Sequence, residues 1–447
     1  MTKYEQIIYD IKNDINNKKY KTSKKLPSVR DLSLAYNCSK STVIKAYESL
    51  KNSHLIYSVP QSGYYVVEEH ITPISMPNAF IDFSTGNPNI GKILTPDLKH
   101  CLNRAVDIYT NQPIDPDVYG IDSLRHLLPS YLAKFQVFTS VDNIFINLGI
   151  QQILSILTNM PFPNDKKNIL VENPTYRYFI SFLEHSGIKP IGIERNEYGI
   201  DLNELEHIFK NDDIKFFYTI PRNHNPLGTR YSKSQRLAIA ELARKYDVYI
   251  VEDDYFGDIE FDSKYDPIYS YGDHHHFIYL KSFTKIIPWI KLGLTVVPDH
   301  LIDDFKLHAN YSYFYSYFAP SLVSQATLEI YLKSNLLSKH IKSIKTEHKV
   351  RLNLLKEKMT ELSNLNISYT KPTWGFYSYI FIPEYINEDL FVKKLGDRGV
   401  KIALGRPYFL SNSTYKKGIR LSVAKPNTDE IITGIDEIIS LLKNGYQ

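Results

Sequence analysis

The sequence contains little cysteine and no long apolar run. Only two cysteines, Cys38 and Cys101, occur in its 447 residues, so a disulfide framework is excluded and a reducing cytoplasm is favoured. No apolar run approaches the roughly 20 residues of a membrane-spanning helix, and residues 1–6 lack the apolar core of a secretion signal. We therefore expect a cytoplasmic protein that acts without a membrane.

Internal repeats and low-complexity tracts are also missing, which argues against a repeat architecture. The composition that is present is ordinary for a globular protein, because 43% of the residues are hydrophobic and 23% are charged. A chain of this length is expected to form two or three domains.

Basic residues are concentrated toward the N-terminus. Residues 1–67 hold 11 Lys and Arg against 5 Asp and Glu, whereas the remainder holds 42 against 44. A small basic domain beside a nearly neutral body favours a polyanion as the partner of the small domain. A solvated lysine-rich surface explains the same charge, so the charge alone leaves both interpretations open.

The pattern of residues 4–50 predicts three helices, of which the last two form a helix-turn-helix. Apolar side chains recur at a helical period over 4–16. Ser28 is placed to cap the second helix, with Val29, Leu32 and Leu34 on its apolar face. Ser39 is placed to cap the third helix, 40–50. The side chains predicted to be buried on the third helix are those of Val43, Ile44, Ala46, Tyr47 and Leu50.

Two short β-rich runs follow, at 54–58 and 63–67, around the turn 60–63. This arrangement predicts a β-hairpin wing. Small hydroxyls and lysines at the start of the third helix suit phosphates and base edges. The residues predicted to contact DNA are Ser28, Arg30, Ser39, Lys40, Ser41, Thr42, Lys45 and Gly63. Alternatively, Ser28 and Ser39 act only as helix caps.

Residues 4–67 resemble the winged-helix domain of GntR-type regulators in three stretches, 26–32, 39–43 and 62–66. The resemblance implies a DNA-binding domain over 1–68 and double-stranded operator DNA as its partner. Two prolines and the lack of a clear period predict a linker over 69–80.

Beyond the linker, helical stretches alternate with short β-rich runs at 144–147, 168–171, 214–219, 248–251 and 277–280. Such alternation predicts an α/β domain with a mostly parallel sheet and helices on both faces. No zinc or other metal site is expected, because His274, His275 and His276 lie in a turn without Cys or His partners at ligand spacing.

Three motifs in this body occur in an order that pyridoxal 5'-phosphate (PLP) chemistry requires. Lys285 provides an amine for a Schiff base with the PLP aldehyde, and Asp253, at the end of a predicted strand, provides a carboxylate for the pyridine nitrogen. Tyr255 and Asn225 can donate hydrogen bonds to the ring hydroxyl. Each motif alone is more often a turn or a cap, so the prediction depends on their combination.

Further candidates surround this trio. Backbone N–H groups of Gly149, Ile150 and Gln151 would face the phosphate at a helix N-terminus, and Ser282 could add a contact. The Tyr176 ring could stack on the pyridine. The planar guanidinium of Arg420 suits a carboxylate. Three more arginines, Arg177, Arg222 and Arg406, are weaker candidates for an effector pocket.

Residues 81–447 resemble the fold type I aminotransferases in the stretches 83–88, 149–151, 172–176, 225–228, 253–255 and 282–285 and at Arg420. The resemblance implies a large subdomain at about 95–300 and a small one at about 301–447 with 81–94. It makes Lys285 the Schiff-base lysine and Arg420 the ligand of an α-carboxylate. The family usually has a phosphate-binding arginine seven residues after the lysine, whereas here Lys291 stands six residues after it, which keeps the charge but loses the guanidinium fork.

A winged helix joined to an aminotransferase-like body resembles the MocR/GabR-type regulators. That layout implies a head-to-tail homodimer that uses PLP and an amino-compound effector to control transcription. Two alternatives remain open: a working aminotransferase that carries a DNA-binding domain, and a regulator whose body binds no cofactor. A vitamin B6 species, a γ-aminobutyrate-like compound and a D- or L-amino acid are all candidate effectors.

Overall fold

The computed structural model describes residues 2–17, 19–20, 24–53, 55–67, 80–88, 94–111, 118–262, 264–316 and 320–444. It divides the chain into two compact units, Met1–Asn78 and Ala79–Gln447. Of the predicted linker at 69–80, only Phe80 is among the described residues. Residues 89–93 of the segment expected to join the small subdomain also lie outside them.

The described residues of the first unit form three helices and a β-hairpin: α1 (Lys3–Asn16), α2 (Val29–Ala35), α3 (Lys40–Asn52), β1 (Ile56–Val59) and β2 (Gly63–Val66). The Ser28 hydroxyl accepts the N–H of Asp31 and begins α2, and the Ser39 hydroxyl accepts the N–H of Thr42 and begins α3. β1 and β2 pair antiparallel. The predicted helix-turn-helix and wing are therefore confirmed.

The predicted burial was wrong for two apolar side chains of this unit. Leu34 is 74% exposed and Ile44 is 44% exposed. In α3 the buried side chains are Val43, Ala46, Tyr47 and Leu50. These four follow the three- and four-residue spacing of one helix face, and Ile44 lies about 100° around the helix from Val43, at the edge of that face.

The second unit combines a large sheet with smaller ones. Its strands are β3 (Ile81–Asp82), β4 (Ile144–Asn147), β5 (Asn168–Asn173), β6 (Ile191–Glu194), β7 (Ile214–Thr219), β8 (Tyr249–Asp253), β9 (Phe277–Ser282), β10 (Gly293–Val296), β11 (Tyr377–Phe381), β12 (Val400–Lys401), β13 (Ala403–Leu404) and β14 (Gly418–Ser422). Its α-helices are α4 (Leu94–Tyr109), α5 (Asp122–Arg125), α6 (Leu128–Leu132), α7 (Ile150–Asn159), α8 (Arg177–His185), α9 (Leu202–Asn211), α10 (Lys233–Lys245), α11 (Ile302–Ser316), α12 (Leu322–Lys333), α13 (Leu336–Ser363), α14 (Glu388–Asp397) and α15 (Thr428–Asn444). Short 3-10 helices span Ala133–Phe135, Val141–Asn143, Gly257–Ile259, Ile268–Tyr271, Asp299–Leu301 and Arg406–Tyr408.

The central sheet has the strand order β4-β10-β9-β8-β7-β5-β6. The neighbours from β9 to β6 pair parallel, and β10 runs antiparallel to both β9 and β4. The mostly parallel sheet is thus confirmed. β7, β8 and β9 are buried along their whole length, as expected for strands covered by helices on both faces. The short strands β6 and β10 were not predicted, because each is only four residues long and includes a glycine.

Two smaller sheets hold the remaining strands. β11, β14 and β13 form an antiparallel sheet, and β3 pairs in parallel with β12. The β3–β12 pairing ties the beginning of the second unit to a strand 319 residues later in the chain. Among the described residues, no helix combines the length and the apolar character needed to cross a membrane.

Candidate functional site

Several strands of the central sheet deliver polar residues to one edge. β8 ends at Asp253 and β9 ends at Ser282, with Lys285 three residues further on. β4, β5 and β7 run in the same direction, and each is followed by a loop. Because the carboxyl ends of parallel strands meet at one edge, ligands of open α/β sheets bind there.

The loops and strand ends enclose a cavity of about 910 Å³. The residues that the sequence assigned to the cofactor all line this cavity, and so does Arg420: Gly149, Ile150, Gln151, Tyr176, Asn225, Asp253, Tyr255, Ser282, Lys285, Lys291 and Arg420. The structure therefore brings together side chains from six separate loops or strand ends. Their individual roles remain predictions.

Asp253 is the buried acid of the cavity and is only 3% exposed. Its Oδ2 accepts the Tyr218 hydroxyl at 2.7 Å, and its Oδ1 accepts the Tyr255 backbone N–H at 3.1 Å. Burial raises the pKa of Asp253 to about 7, although both hydrogen bonds and the charge of Lys285 oppose that shift. A cation placed against this carboxylate would restore its ionised form.

Lys285 is half-buried in the same cavity. Its Nζ donates to the Gly86 carbonyl at 2.7 Å and to Asn87 Oδ1 at 2.8 Å. Burial and the charge of Arg420 lower the pKa of Lys285 to about 8, with Asp253 acting in the opposite direction. The lowered pKa increases the unprotonated fraction near neutral pH, which is the form that attacks an aldehyde.

Arg420, on β14, is buried and 4% exposed. Its Nη1 donates to Asn225 Oδ1 at 3.3 Å, and its Nη2 donates to the Ser84 carbonyl. Its Nε is buried without a hydrogen-bond partner in the described part of the chain, and the Tyr377 ring lies 4.5 Å from its Cζ. Such a guanidinium can still form a paired hydrogen bond with an incoming carboxylate.

The start of α7 forms another wall. Gly149 precedes the helix with a φ of 141°, a conformation that favours glycine. A Cβ added to Gly149 would meet nothing within 4 Å, so the backbone is openly accessible there. The first N–H groups of a helix have no acceptor inside the helix, and together with the helix dipole they favour an anion such as a phosphate.

The aromatic and amide candidates take part in a local hydrogen-bond network. The Tyr255 hydroxyl donates to the Asn223 carbonyl at 2.7 Å, and Gln151 Nε2 donates to the Tyr176 hydroxyl at 3.0 Å. The hydrogen bond from Arg420 fixes the Asn225 side-chain oxygen toward the guanidinium. These contacts orient the side chains around the cavity, because a held side chain keeps one rotamer.

Ser282 and Lys291 lie at two further points of the wall. The Ser282 hydroxyl contacts the Thr284 hydroxyl at 3.2 Å and accepts the Thr284 N–H at 3.3 Å. Lys291 is exposed, yet it lines the cavity. Its charge is therefore available to an anion in the cavity, although without the geometry of an arginine fork.

The three weaker arginine candidates differ in their position and in their partners. Arg177 lines the cavity. Arg222 is buried and donates to both oxygens of Asp254, and Arg406 pairs with Glu388; neither lines the cavity. The interpretation of Arg222 and Arg406 as effector ligands was therefore wrong, because each already has a carboxylate partner.

Sequence reasoning missed several residues of the site. Tyr218 holds Asp253 from the neighbouring strand, and the carbonyls of Ser84 and Gly86 accept from the two cations. Tyr377 and Tyr408 also line the cavity. Tyr218 occurs in a predicted strand, but pairing it with Asp253 requires the strand register. Backbone carbonyls carry no sequence signal at all.

The histidine run, residues 274–276, lies in the turn before β9. Within the described residues, no group of three or more His, Cys, Asp and Glu side chains is arranged to hold a metal ion. His274 and His275 are exposed, and His276 pairs with Asp247 at 3.0 Å and with Asp273 at 3.1 Å. These contacts brace the turn before β9.

In the first unit, Arg30, Lys40, Ser41, Lys45 and Gly63 are exposed. Their roles in DNA binding remain predictions. The hydroxyls of Ser28 and Ser39 act as helix caps. Thr42 is half-buried, and its hydroxyl lies 2.9 Å from that of Ser39.

The chain is similar to known families in both units. Residues 3–66 match the bacterial regulatory proteins of the gntR family, and residues 79–438 match the aminotransferases of class I and II. The chain is 37% identical to the uncharacterized HTH-type transcriptional regulator YcxD of Bacillus subtilis, over 99% of this chain and 100% of YcxD. It is 24% identical to the HTH-type transcriptional regulator NorG of Staphylococcus aureus, over 94% and 99% of the two chains.

Solved structures resemble the second unit. A kynurenine aminotransferase of Pyrococcus horikoshii superposes with a TM-score of 0.74 at 23% identity, covering 83% of this chain and 92% of that one. An archaeal alanine:glyoxylate aminotransferase gives a TM-score of 0.73 at 24% identity, covering 82% and 91%. At these identities the likeness establishes the fold alone, which is that of a fold type I aminotransferase.

Proposed function

Because this chain belongs to the HTH-type transcriptional regulators in which a gntR-family domain is joined to a class I and II aminotransferase domain, we propose that it is a PLP-dependent regulator whose binding to operator DNA responds to an amino compound. The observation that carries the proposal is the cavity that brings Lys285, Asp253 and Arg420 together. An amine, a buried carboxylate and a guanidinium without a carboxylate partner match the groups of PLP and of an amino acid.

The donor set of the cavity fits PLP. Lys285 would hold the aldehyde carbon, Asp253 the pyridine nitrogen, and the start of α7 with Lys291 and Ser282 the phosphate. Tyr176 would cover one face of the ring, while Tyr255 and the Asn225 amide would serve the ring hydroxyl. PLP would supply an electron-withdrawing ring to the bound amine. The raised pKa of Asp253 supports this assignment, because the carboxylate gains most from a cationic partner.

Arg420 couples the amino compound to the start of the second unit. In the structure, residues 84–87 are held by cations of the cavity: Ser84 by Arg420, and Gly86 and Asn87 by Lys285. A carboxylate bound by Arg420 competes with the Ser84 carbonyl for the same N–H groups. Residues 84–87 then lose a contact, and they lie only a few residues after the linker that leads to the winged helix.

Hydrogen exchange tests this coupling. When an amino compound binds to the PLP-loaded protein, we expect the amides of 83–87 to exchange about tenfold faster, because the segment loses its contact with Arg420. Arg420→Gln should show the faster exchange before any compound is added. Amides of β8 serve as the internal control and should be unchanged. A change in operator binding without any change in exchange at 83–87 would contradict the coupling.

We further propose that the first unit binds DNA through the start of α3. Lys40 and Lys45 are exposed there, one turn and a half apart, and Ile44 is exposed between them. Lysines would contact phosphates and the apolar Ile44 side chain would suit a thymine methyl group. Arg30, Ser41, Thr42 and the wing at Gly63 complete the proposed surface.

Lys40→Ala and Lys45→Ala are each expected to weaken operator binding and to lower the slope of log affinity against log salt by about 1. The reason is that each lost phosphate contact releases one counterion fewer. Lys51→Ala is the matched control, because Lys51 lies at the other end of α3 near Glu48. An unchanged salt slope in both variants would exclude these lysines from the interface.

The proposal as a whole is tested by measuring operator affinity with the apo protein, with PLP, and with PLP plus a panel of amines. We expect the last addition to change the affinity or the footprint. If no addition changes either, the regulator proposal fails. The aminotransferase alternative predicts many turnovers of amino donor and keto acid, at roughly 1–10³ per second, and the same samples can be assayed for them.

The working form is proposed to be a cytoplasmic homodimer, in the head-to-tail arrangement that the resemblance implies. Exposed apolar side chains support association, since Val106 and Ile108 on α4 are more than half exposed. Sedimentation of the purified protein would give the mass of the assembly, and a monomer at micromolar concentration would contradict the dimer.

A further inference from the structure

Two arginines, Arg420 and Arg177, line the cavity. Arg420 packs on the Tyr377 ring at 4.5 Å and on the Tyr408 ring at 5.1 Å. Burial raises the pKa of Tyr377 to about 12, and the charges of both arginines oppose this shift. Both guanidiniums therefore act on the same phenol, which also lines the cavity.

The hydrogen-bond partners of both arginines are neutral groups. In the described part of the chain, no carboxylate lies within ion-pair distance of Arg177 or Arg420. Arg177 donates to the Tyr178 hydroxyl at 2.6 Å and stacks on the Tyr178 ring at 4.5 Å. Neutral partners do not compensate a guanidinium charge that is partly withdrawn from water.

Two other buried arginines of the second unit form ion pairs with carboxylates. Buried Arg195 pairs with Glu172 at 3.2 Å, and buried Arg222 pairs with Asp254 at 2.5 Å. These ion pairs are complete inside the chain, as expected where an arginine has a structural role. Arg177 and Arg420 differ in that both face the cavity and both lack such a pair.

The charges of the cavity wall show how many anions it can take. Lys285, Lys291, Arg177 and Arg420 are cationic, and Asp253 is the anion among the lining residues. In the proposed function, a phosphate occupies the start of α7 with Lys291, and an α-carboxylate occupies Arg420. Among the described residues, Arg177 then remains as a cation of the cavity wall without a carboxylate partner.

From this excess we propose that the effector is an amino acid with a second acidic group on its side chain, held by Arg177 while Arg420 holds the α-carboxylate. This inference rests on the proposed function and names the chemical class of the effector. Charge complementarity favours this class over neutral and aromatic amino acids, although the tyrosines of the wall also offer apolar surface. A dicarboxylic amino acid satisfies both guanidiniums at once.

The test compares acidic amino acids with their neutral amides, which have nearly the same size and shape. L-Aspartate and L-glutamate are titrated into the full-length, PLP-loaded protein beside L-asparagine and L-glutamine, with L-phenylalanine as the aromatic competitor. The readouts are the visible absorbance of the bound cofactor and the affinity for operator DNA. We expect at least one acid to bind about tenfold or more tightly than its own amide.

Arg177→Gln identifies the residue responsible. The variant is expected to lose the tenfold preference for the acid, while its affinity for the amide changes by less than about threefold. Arg398→Gln is the matched control, because Arg398 is an exposed arginine of the same unit that pairs with Glu437 and does not line the cavity. It should keep the preference of the original protein.

The outcomes separate this inference from the proposed function. Equal binding of acids and amides, tighter binding of phenylalanine, or a preference for the acid that survives Arg177→Gln would each overturn the dicarboxylate inference while leaving the regulator proposal intact. If the protein takes up no PLP at all, the proposed function fails and the inference fails with it. Loss of the acid preference in Arg177→Gln but not in Arg398→Gln supports the inference.

Discussion

Replacing Lys285 by alanine is expected to abolish covalent attachment of PLP. Treatment of the loaded protein with borohydride and mapping of its peptides should find a pyridoxyl tag on Lys285, close to one per chain, and no tag in Lys285→Ala. The response of operator binding to an amino compound should disappear with it. The physical reason is that Lys285 is the lysine in the cavity with a pKa lowered to about 8, so its amine is the most reactive there.

Unfolding of the Lys285→Ala variant is not expected to cause the loss of PLP attachment. The pKa of Lys285 is lower in the folded protein than in the unfolded chain, so folding disfavours its charged form. That destabilisation is fully present below pH 8 and disappears as the pH rises through the unfolded value of 10.5. Removing the amine should therefore leave the stability near neutral pH equal or higher.

Lys393→Ala is the matched control, because Lys393 is exposed on α14 and does not line the cavity. It should keep the tag and the response. Lys291 is the alternative site of attachment, since it is the other lysine that lines the cavity. A pyridoxyl tag that appears on Lys291, or that persists in Lys285→Ala, would show that the assignment of the attachment site is wrong.

Asp253→Asn is expected to make the apo protein more stable and to weaken its binding of PLP. The pKa of Asp253 is about 7 in the folded protein against an ordinary value of 3.8, mainly because of burial. The folded state therefore takes up a proton more readily than the unfolded chain. Its free energy of unfolding falls as the pH rises from about 4 to about 7 and stays low at higher pH.

Asparagine removes this pH-dependent cost. At pH 8 the apo variant should gain stability by up to about 4 kcal/mol, and the difference should vanish near pH 4. Added PLP should stabilise the original protein at pH 8 and stabilise Asp253→Asn far less, because the neutral amide cannot form an ion pair with a protonated ring nitrogen. Thermal unfolding at several pH values, with and without PLP, measures both effects.

Glu252→Gln provides the control on the same strand. Glu252 is also buried with a pKa raised to about 7, and it accepts the backbone N–H groups of Ile268 and Tyr269. Because side chains alternate along a strand, it points away from Asp253. Its substitution should leave the stabilisation by PLP unchanged. If PLP stabilised Asp253→Asn as much as the original protein, Asp253 would not be the partner of the ring nitrogen.

Much of the cavity could be predicted because its residues stand at strand ends. A parallel sheet collects its carboxyl ends on one edge, and Asp253 and Lys285 each follow a β-rich run, which favoured a shared site for one cofactor. The register in which neighbouring strands pair could not be predicted in this way. Tyr218 and Asp253 are partners only because β7 and β8 pair with Tyr218 opposite Val251.

Two arginines show the same limit of sequence-based prediction. Arg177 and Arg222 each follow a strand of the central sheet by a few residues, and nothing local distinguishes them. Asp254 lies within hydrogen-bond distance of Arg222 and neutralises it, whereas Arg177 meets only a tyrosine. Which arginine keeps a charge available to a ligand depends on where distant carboxylates lie.

The order of motifs along this chain determined the winged helix, the α/β body and the set of groups around Lys285, because helix period, capping residues and strand ends are local properties. The tertiary structure decided which cations face the cavity without a carboxylate, and that the carbonyls of residues 84–87 are their partners. Such contacts join residues hundreds of positions apart, and a backbone carbonyl is the same in every residue. No sequence pattern could have identified them.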